Sequence, residues 1–221
     1  YCFTELIIEV KIMDKLLTVV IPSYNVEKFL NQTLDSFVCD EAVMKKFEVI
    51  VVDDGSKDNT AKIGKEYADK YPDTFRVISK ENGGHGSTIN CGIRNAVGKY
   101  FKVVDGDDWV NTADFVKLVE DLEKTESEYV FTNYYEYYDD VNRQKTVDFP
   151  QFKDGTEYDF ADVANKVYIP MHALVIKTSV LKDNNIVIDE KCFYVDVEYV
   201  MFPVPFVNKV TFFDLHVYMY R

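Results

Sequence analysis

The chain has 221 residues and carries 25 basic against 38 acidic side chains, a net charge of −13 at pH 7. So acidic a composition excludes nucleic acid as a partner, because a phosphate backbone rewards basic patches, and there is no polybasic segment for anionic lipid. The length fits one elaborated α/β domain, and 47% hydrophobic residues are enough to build its core.

Any phosphate ligand of such a chain calls for a cation between the two. Cys2, Cys39, Cys91 and Cys192 fall in no C-x-x-C spacing and outline no disulfide frame. Their simplest reading is reduced thiols in a cytoplasmic protein, peripheral to a membrane at most through partners. No apolar run approaches the roughly 18 residues of a spanning helix, so no transmembrane segment is expected. There are 16 tyrosines and 16 phenylalanines, many of them after residue 129. They read first as core and interface, which leaves room for a homo-oligomer, and second as a sugar-stacking surface.

Residues 1–12 precede the first strand pattern and are set apart as a linker or upstream remnant, so the expected domain spans 13–221. Leu16–Pro22 (LLTVVIP) is a continuous, β-branched apolar run that suits a strand covered on both faces. Val26, Phe29, Leu30, Leu34, Phe37 and Val38 then recur at helical spacing. Phe47–Val52 predicts a second buried strand, Asn59–Tyr71 a helix, Phe75–Ser79 a third strand, Ser87–Ala96 a helix and Tyr100–Val104 a fourth strand. Strands alternating with helices imply βαβ units and a mostly parallel central sheet flanked by helices. After Glu128 the pattern weakens. Tyr129–Tyr138 alternates poorly, Asp159–Lys166 and Thr178–Asp183 look helical, and Ala173–Ile176 looks like a strand. Pro203 and Pro205 stop any helix begun in Tyr199–Phe206.

Open parallel sheets bind ligands beyond the carboxyl ends of their strands. Three polar tips converge there: Pro22-Ser23-Tyr24-Asn25, Asp53-Asp54-Gly55-Ser56 and Asp105-Gly106-Asp107-Asp108. In an extended Asp-x-Asp, both carboxylates can face one ligand, and Gly106 lets the backbone approach it. Hard oxygen donors of this kind suit Mg²⁺ or Mn²⁺ bridging to phosphates. Asp53 and Asp54 add to the crowding, although either can instead cap the helix that follows.

The blocks VVIPSYNVEKFLNQTLDSF, VIVVDDGSKDNT and KENGGHGSTINCGIRNAVGKYFKVVDGDDW together resemble the family 2 glycosyltransferases, bacterial inverting enzymes of GT-A fold. The resemblance runs from about Leu16 to Trp109 and more weakly beyond. It implies a nucleotide-binding half over 13–109 and an acceptor half over 110–221, with a nucleotide sugar (uridine first) as donor. A saccharide, a glycoprotein or a lipid-linked glycan would be the acceptor. It places Pro22, Tyr24 and Asp53 or Asp54 at the nucleobase and ribose, Asn82 and Gly83 beside the nucleotide with Lys80 near it, Asp105 at ribose or metal, and Asp107 on Mn²⁺ or Mg²⁺. The family often carries an Arg where this chain has Ile89, so no Arg–donor contact is expected there. It often carries a Glu-Asp pair where this chain reads Val195-Asp196, so Asp196 alone stands as the catalytic base, with Glu198 in reserve.

His85, His172 and His216 are too scattered to define a metal cluster. His85 is expected as a plain helix-start residue, His172 in the acceptor cleft, and His216 without a metal role. A nucleotidyltransferase would need a glycine-rich basic loop after the first strand, whereas PSYNVEK has no glycine and one lysine. A receiver-type binding domain would carry its acidic pair after the first strand, not the second. The remaining alternative is a catalytically silent nucleotide- or carbohydrate-binding module of the same fold.

Overall fold

The computed structural model describes residues 15–221, and the segment set apart as a linker lies outside the described residues. The apolar runs of the first half become strands β1 (Leu17–Ser23), β2 (Phe47–Asp53), β3 (Phe75–Ser79) and β4 (Tyr100–Val103). They pair in parallel in the order β3-β2-β1-β4. Every residue of β1 and β2 is buried, which is why both read as unbroken apolar runs rather than alternating ones.

Helices α1 (Leu30–Asp35), α2 (Glu41–Met44), α3 (Thr60–Lys70) and α4 (His85–Asn95) connect these strands. The expected Val26–Val38 helix contracts to α1 because the chain ahead of it is bonded elsewhere. The amides of Asn25, Val26 and Glu27 donate to Ser56 Oγ, Thr60 Oγ1 and Asp58 Oδ2 at 3.0, 2.9 and 3.1 Å. The first polar tip is thereby zipped to the second.

The sheet continues without a break through the second half. The expected division at residue 109 falls within β5 (Trp109–Val110), which is followed by α5 (Thr112–Asp121). Strand β6 (Tyr129–Tyr138) precedes β7 (Arg143–Val147), β8 (Thr156–Asp159) and α6 (Phe160–Ala164). Then come β9 (Leu174–Lys177), α7 (Thr178–Asp183), α8 (Val195–Met201) and β10 (Lys209–Tyr220). The order extends as β4-β9-β6-β10-β5, with β7 on β6 and β8 on β10. Here the pairs are antiparallel except β6 with β10.

Three elements were not apparent as patterns, each for a physical reason. The first five residues of β6 are all buried, which erases alternation. Strand β10 shifts register against β6 between Phe213 and His216 and again before Tyr218, so its side-chain period is broken twice. Helix α5 follows a strand of two residues and is held at its start by Asn111 Oδ1, which accepts from the amides of Ala113 and Asp114. Pro203 does end the helical stretch soon after α8, as its ring requires.

Apolar clusters cover both faces of the sheet. Val20, Ile50 and Val103 pack with Ile89, Leu181 and Tyr199 on one face. Val19, Ile21 and Val49 pack with Leu34, Phe37 and Phe115 on the other. One cation is enclosed among them. Lys102 of β4 is 0% exposed; its Nζ donates to the carbonyls of His172 and Leu174 at 2.8 and 3.3 Å and lies 5.3 Å from the Tyr218 ring centre. Burial pushes this ammonium down to about 7.

The unfolded chain keeps its Lys102 proton to about pH 10. Between about pH 7 and pH 10 it therefore holds a proton that the folded chain has shed, and stability rises with pH over that window. Urea unfolding of wild type and Lys102→Met at pH 7, 8 and 9 tests this. The wild type gains on the variant as pH rises; a pH-independent difference contradicts a buried titrating lysine.

Candidate active site

The turn after β4 is fixed from several sides. Gly106 N donates to the Pro22 carbonyl at 3.1 Å, and a Cβ at residue 106 would lie 2.9 Å from that same oxygen, so glycine alone fits. Thr33 Oγ1 donates to the carbonyls of Gly106 and Asp108 at 3.1 and 2.6 Å. From the end of β10, Tyr218 Oη donates to Asp108 Oδ2 at 2.6 Å and accepts from Asp105 N at 3.1 Å. Arg221 N donates to Asp108 Oδ1 at 2.8 Å. The Arg221 guanidinium lies between the Phe29 and Trp109 rings, 4.7 and 4.8 Å from their centres, and donates to the Asp107 carbonyl at 2.8 Å.

The three carboxylates of this turn thus have distinct surroundings. Asp108 is 2% exposed, and burial pushes it up to about 7 against the opposing pull of its Tyr218 and Arg221 donors. Both of its oxygens are engaged, so it acts as a clamp on β10. Asp105 is half-buried, and its Oδ1 lies 2.9 Å from His85 Nε2. Asp107 is exposed, and no other side chain bonds its carboxylate among the described residues. Partial enclosure and the neighbouring Asp105 both push Asp107 above the usual carboxylate range, which marks a place short of positive charge. Asp105 and Asp107 therefore fit a hard divalent cation.

The structure also brings His172 into this group, through space and far along the chain. Ligand atoms of Asp105, Asp108 and His172 lie within 4.8 Å of one another. His172 is packed among Tyr134, Tyr218 and Tyr220, and burial depresses its basicity. Nothing in the spacing of the sequence signals this approach; the fold makes it by running β9 beside β4.

The two aspartates after β2 diverge. Asp53 is buried and its Oδ1 accepts from Ser56 N at 3.0 Å. Asp54, which was grouped with the nucleotide pocket, turns its carboxylate into the glycine-rich loop instead. Oδ1 accepts from Gly83 N and from Lys80 Nζ at 2.9 and 2.7 Å, and Oδ2 from Gly84 N at 2.8 Å. Two backbone amides and a lysine satisfy it, so it shapes the loop that carries Asn82 and Gly83. Lys80, expected near the nucleotide, is tied down in the same contact. Asn82 is exposed beside it, with Nδ2 donating to the Asp54 carbonyl at 3.0 Å. Tyr24, 49% exposed, stands free above the tip of β1, while Pro22 is buried within the strand.

Asp196 lies in the first turn of α8 but does not cap it, since the cap position belongs to Tyr194 in the left-handed region at φ 64°. Its charge acts on both His85 and His172, as does that of Asp105. The acidic turn and Asp196 are therefore close enough to the same two histidines for their charges to act on both. Glu198 is engaged elsewhere, its Oε2 accepting from Asp189 N at 2.8 Å. His85 opens α4 as expected and also pairs with Asp105. His216 pairs with Asp148, its Nε2 2.5 Å from Oδ1.

A parallel sheet with carboxylates at its strand tips and a glycine-rich loop beside them is the layout of an α/β protein that takes its ligand beyond the carboxyl ends of its strands. Comparison with known proteins agrees. The family model described as Glycosyl transferase family 2 matches residues 18–184, and the chain belongs to that family. It is 37% identical over 123 residues to the uncharacterized glycosyltransferase EpsJ of Bacillus subtilis (strain 168), covering 56% of this chain and 35% of that protein. It is 33% identical over 111 residues to the minor teichoic acid biosynthesis protein GgaB of the same organism, covering 50% of this chain and 12% of that one. The chain thus spans well under half the length of these relatives. Among solved structures, TarS 1-349 of S. aureus in complex with UDP-GlcNAc superposes with a TM-score of 0.77 at 24% identity, over 92% of this chain and 58% of that one. The mannosyltransferase PcManGT from Pyrobaculum calidifontis, in complex with GDP-Man and Mn²⁺, gives 0.65 at 18% identity, over 92% and 56%. The α/β sheet with its flanking helices is a GT-A fold.

The inward turn of Asp54 carries a stability prediction. Asp54→Ala strips Lys80 and two loop amides of their shared acceptor and costs on the order of 3 kcal/mol. Urea unfolding reads the loss directly. A change well below about 1 kcal/mol would show that the loop does not depend on this carboxylate.

Proposed function

We propose that this chain is a glycosyltransferase catalytic domain that moves a sugar from a nucleoside diphosphate to an acceptor hydroxyl, with inversion at the anomeric carbon. What supports the reading is the company the acidic turn keeps: Asp105 Oδ1 lies 2.9 Å from His85 Nε2, ligand atoms of Asp105, Asp108 and His172 lie within 4.8 Å of one another, and the charge of Asp196 acts on both histidines. A uridine nucleotide is the first donor to test, with a saccharide, glycoprotein or lipid-linked glycan as acceptor. Pro22, Tyr24 and Asp53 border the nucleobase and ribose, and Asn82 and Gly83 run alongside them.

Asp105 and Asp107 are the residues to hold Mn²⁺ or Mg²⁺, which when bound supplies positive charge to the departing diphosphate. The chain's own contribution begins with Asp196. Its carboxylate takes the proton of the acceptor hydroxyl while the oxygen attacks the anomeric carbon. The bond between that carbon and the diphosphate oxygen breaks with its electron pair leaving on the nucleotide. The turn fixed by Thr33, Tyr218 and Arg221 keeps its carboxylates in place during the step, so little reorganisation is needed.

The test is turnover of a panel of UDP- and GDP-sugars with Mn²⁺, followed as release of the nucleoside diphosphate. Asp196→Asn lowers kcat by roughly 10²–10⁴-fold, the usual worth of a positioned base, while nucleotide affinity stays the same. Undiminished turnover in that variant removes Asp196 from the mechanism. Binding of nucleotide with no turnover from any donor would favour a silent module.

A further inference from the structure

The segment between α7 and α8 makes an unusual set of contacts with α4. Asn90, 3% exposed, bonds the backbone of Ile188 in both directions, with Oδ1 accepting from its amide at 2.9 Å and Nδ2 donating to its carbonyl at 2.8 Å. Lys191 N donates to the Gly83 carbonyl at 3.0 Å. At Gly86 the segment lies so close that a Cβ would stand 2.0 Å from the Asp189 carbonyl oxygen. Between these contacts Asp189 N donates to Glu198 Oε2 at 2.8 Å, in the first turn of α8. One short run of chain is therefore bonded to the Gly83–Asn90 region and to the helix that carries Asp196.

We propose that residues 188–191 are a strap that fixes Asp196 relative to the glycine-rich loop, and that Glu198 and Asn90 are its positioning residues. This rests on the reading of Asp196 as the base. The strap adds directional bonds between two parts that also share an apolar cluster, in which Ile89 of α4 lies with Val195, Tyr199 and Val200 of α8. The loop is set by Asp54 from below, while α8 follows a segment with two left-handed residues, Lys191 and Tyr194, at φ 58° and 64°. Such backbone persists where surrounding contacts over-determine it.

Helix geometry explains the division of labour between the two acids of α8. Residues two apart on a helix point about 200° apart, so Asp196 and Glu198 cannot both face the cleft. Asp196 acts on His85 and His172, whereas Glu198 acts on Cys192 and bonds Asp189. What Glu198 supplies is an acceptor oxygen, not a charge in the cleft. A glutamine supplies the same oxygen; an alanine does not.

Two measurements distinguish this from a purely local stabilising contact. Hydrogen exchange on the ligand-free chain reads the strap itself. Glu198→Ala and Asn90→Ala speed exchange at 188–191 and also in the 83–87 stretch, and Glu198→Gln restores both to the wild-type rate. Exchange unchanged in the alanine variants, or changed at the strap alone, overturns the coupling. With whichever donor turns over, Glu198→Ala lowers kcat roughly tenfold or more, as a misplacement of about an ångström does, while UDP affinity changes less than about twofold. Glu198→Gln stays close to wild type. A glutamine variant as poor as alanine would make Glu198 the base and contradict the proposal. Wild-type turnover in Asp196→Asn would sink the reading of the base while leaving the exchange result to stand or fall alone.

Discussion

A buried carboxylate must find donors, and Asp54 finds them in one loop. Its oxygens collect the amides of Gly83 and Gly84 and the ammonium of Lys80, so the loop's path is dictated by where β2 ends. An amide donor bonded to a carboxylate is stronger than a neutral pair, and leaving a buried carboxylate unpaired would cost several kcal/mol. From this point the site is built outward. The loop opens α4, α4 sets His85 against Asp105 and presents Asn90 to Ile188, and that contact leads to α8 and Asp196.

The acidic turn is managed by a second constraint from the other end of the sheet. Asp105, Asp107 and Asp108 stand side by side, and such crowding is costly unless donors or cations intervene. The end of β10 relieves part of it. Tyr218 and the amide of Arg221 fill Asp108, and the guanidinium, held between two aromatic rings, fills the Asp107 carbonyl. These contacts engage both oxygens of the buried acid and leave the exposed Asp107 carboxylate to a ligand. Under the proposed function the remaining negative field is what a cation accompanying the nucleotide would meet, in a chain of net charge −13.

Much of this was legible in the sequence, and the rest was hidden for definable reasons. Strands β1, β2 and β4 announce themselves because a strand buried on both faces is an unbroken apolar run, and their tips follow from topology. The adjacent Asp53 and Asp54 look alike on paper; only the path of the facing loop decides that Asp54 turns inward. His172 reaches Asp105 through strand order, which no spacing encodes. Strand β10, whose end clamps the acidic turn, was invisible because its bulges break the period-two pattern. Where the resemblance leads to a Glu-Asp pair this chain has Val195, whose side chain is buried in the core.

The central claim is that the acidic strand tips form a metal-dependent nucleotide site. The most direct test is calorimetric titration of UDP into the wild-type chain and Asp107→Ala, each with Mn²⁺ and with EDTA. The account predicts that UDP binds the wild type only with Mn²⁺ and that the variant loses that metal-dependent binding. Equal affinity in all four titrations, or binding that survives EDTA, would contradict it.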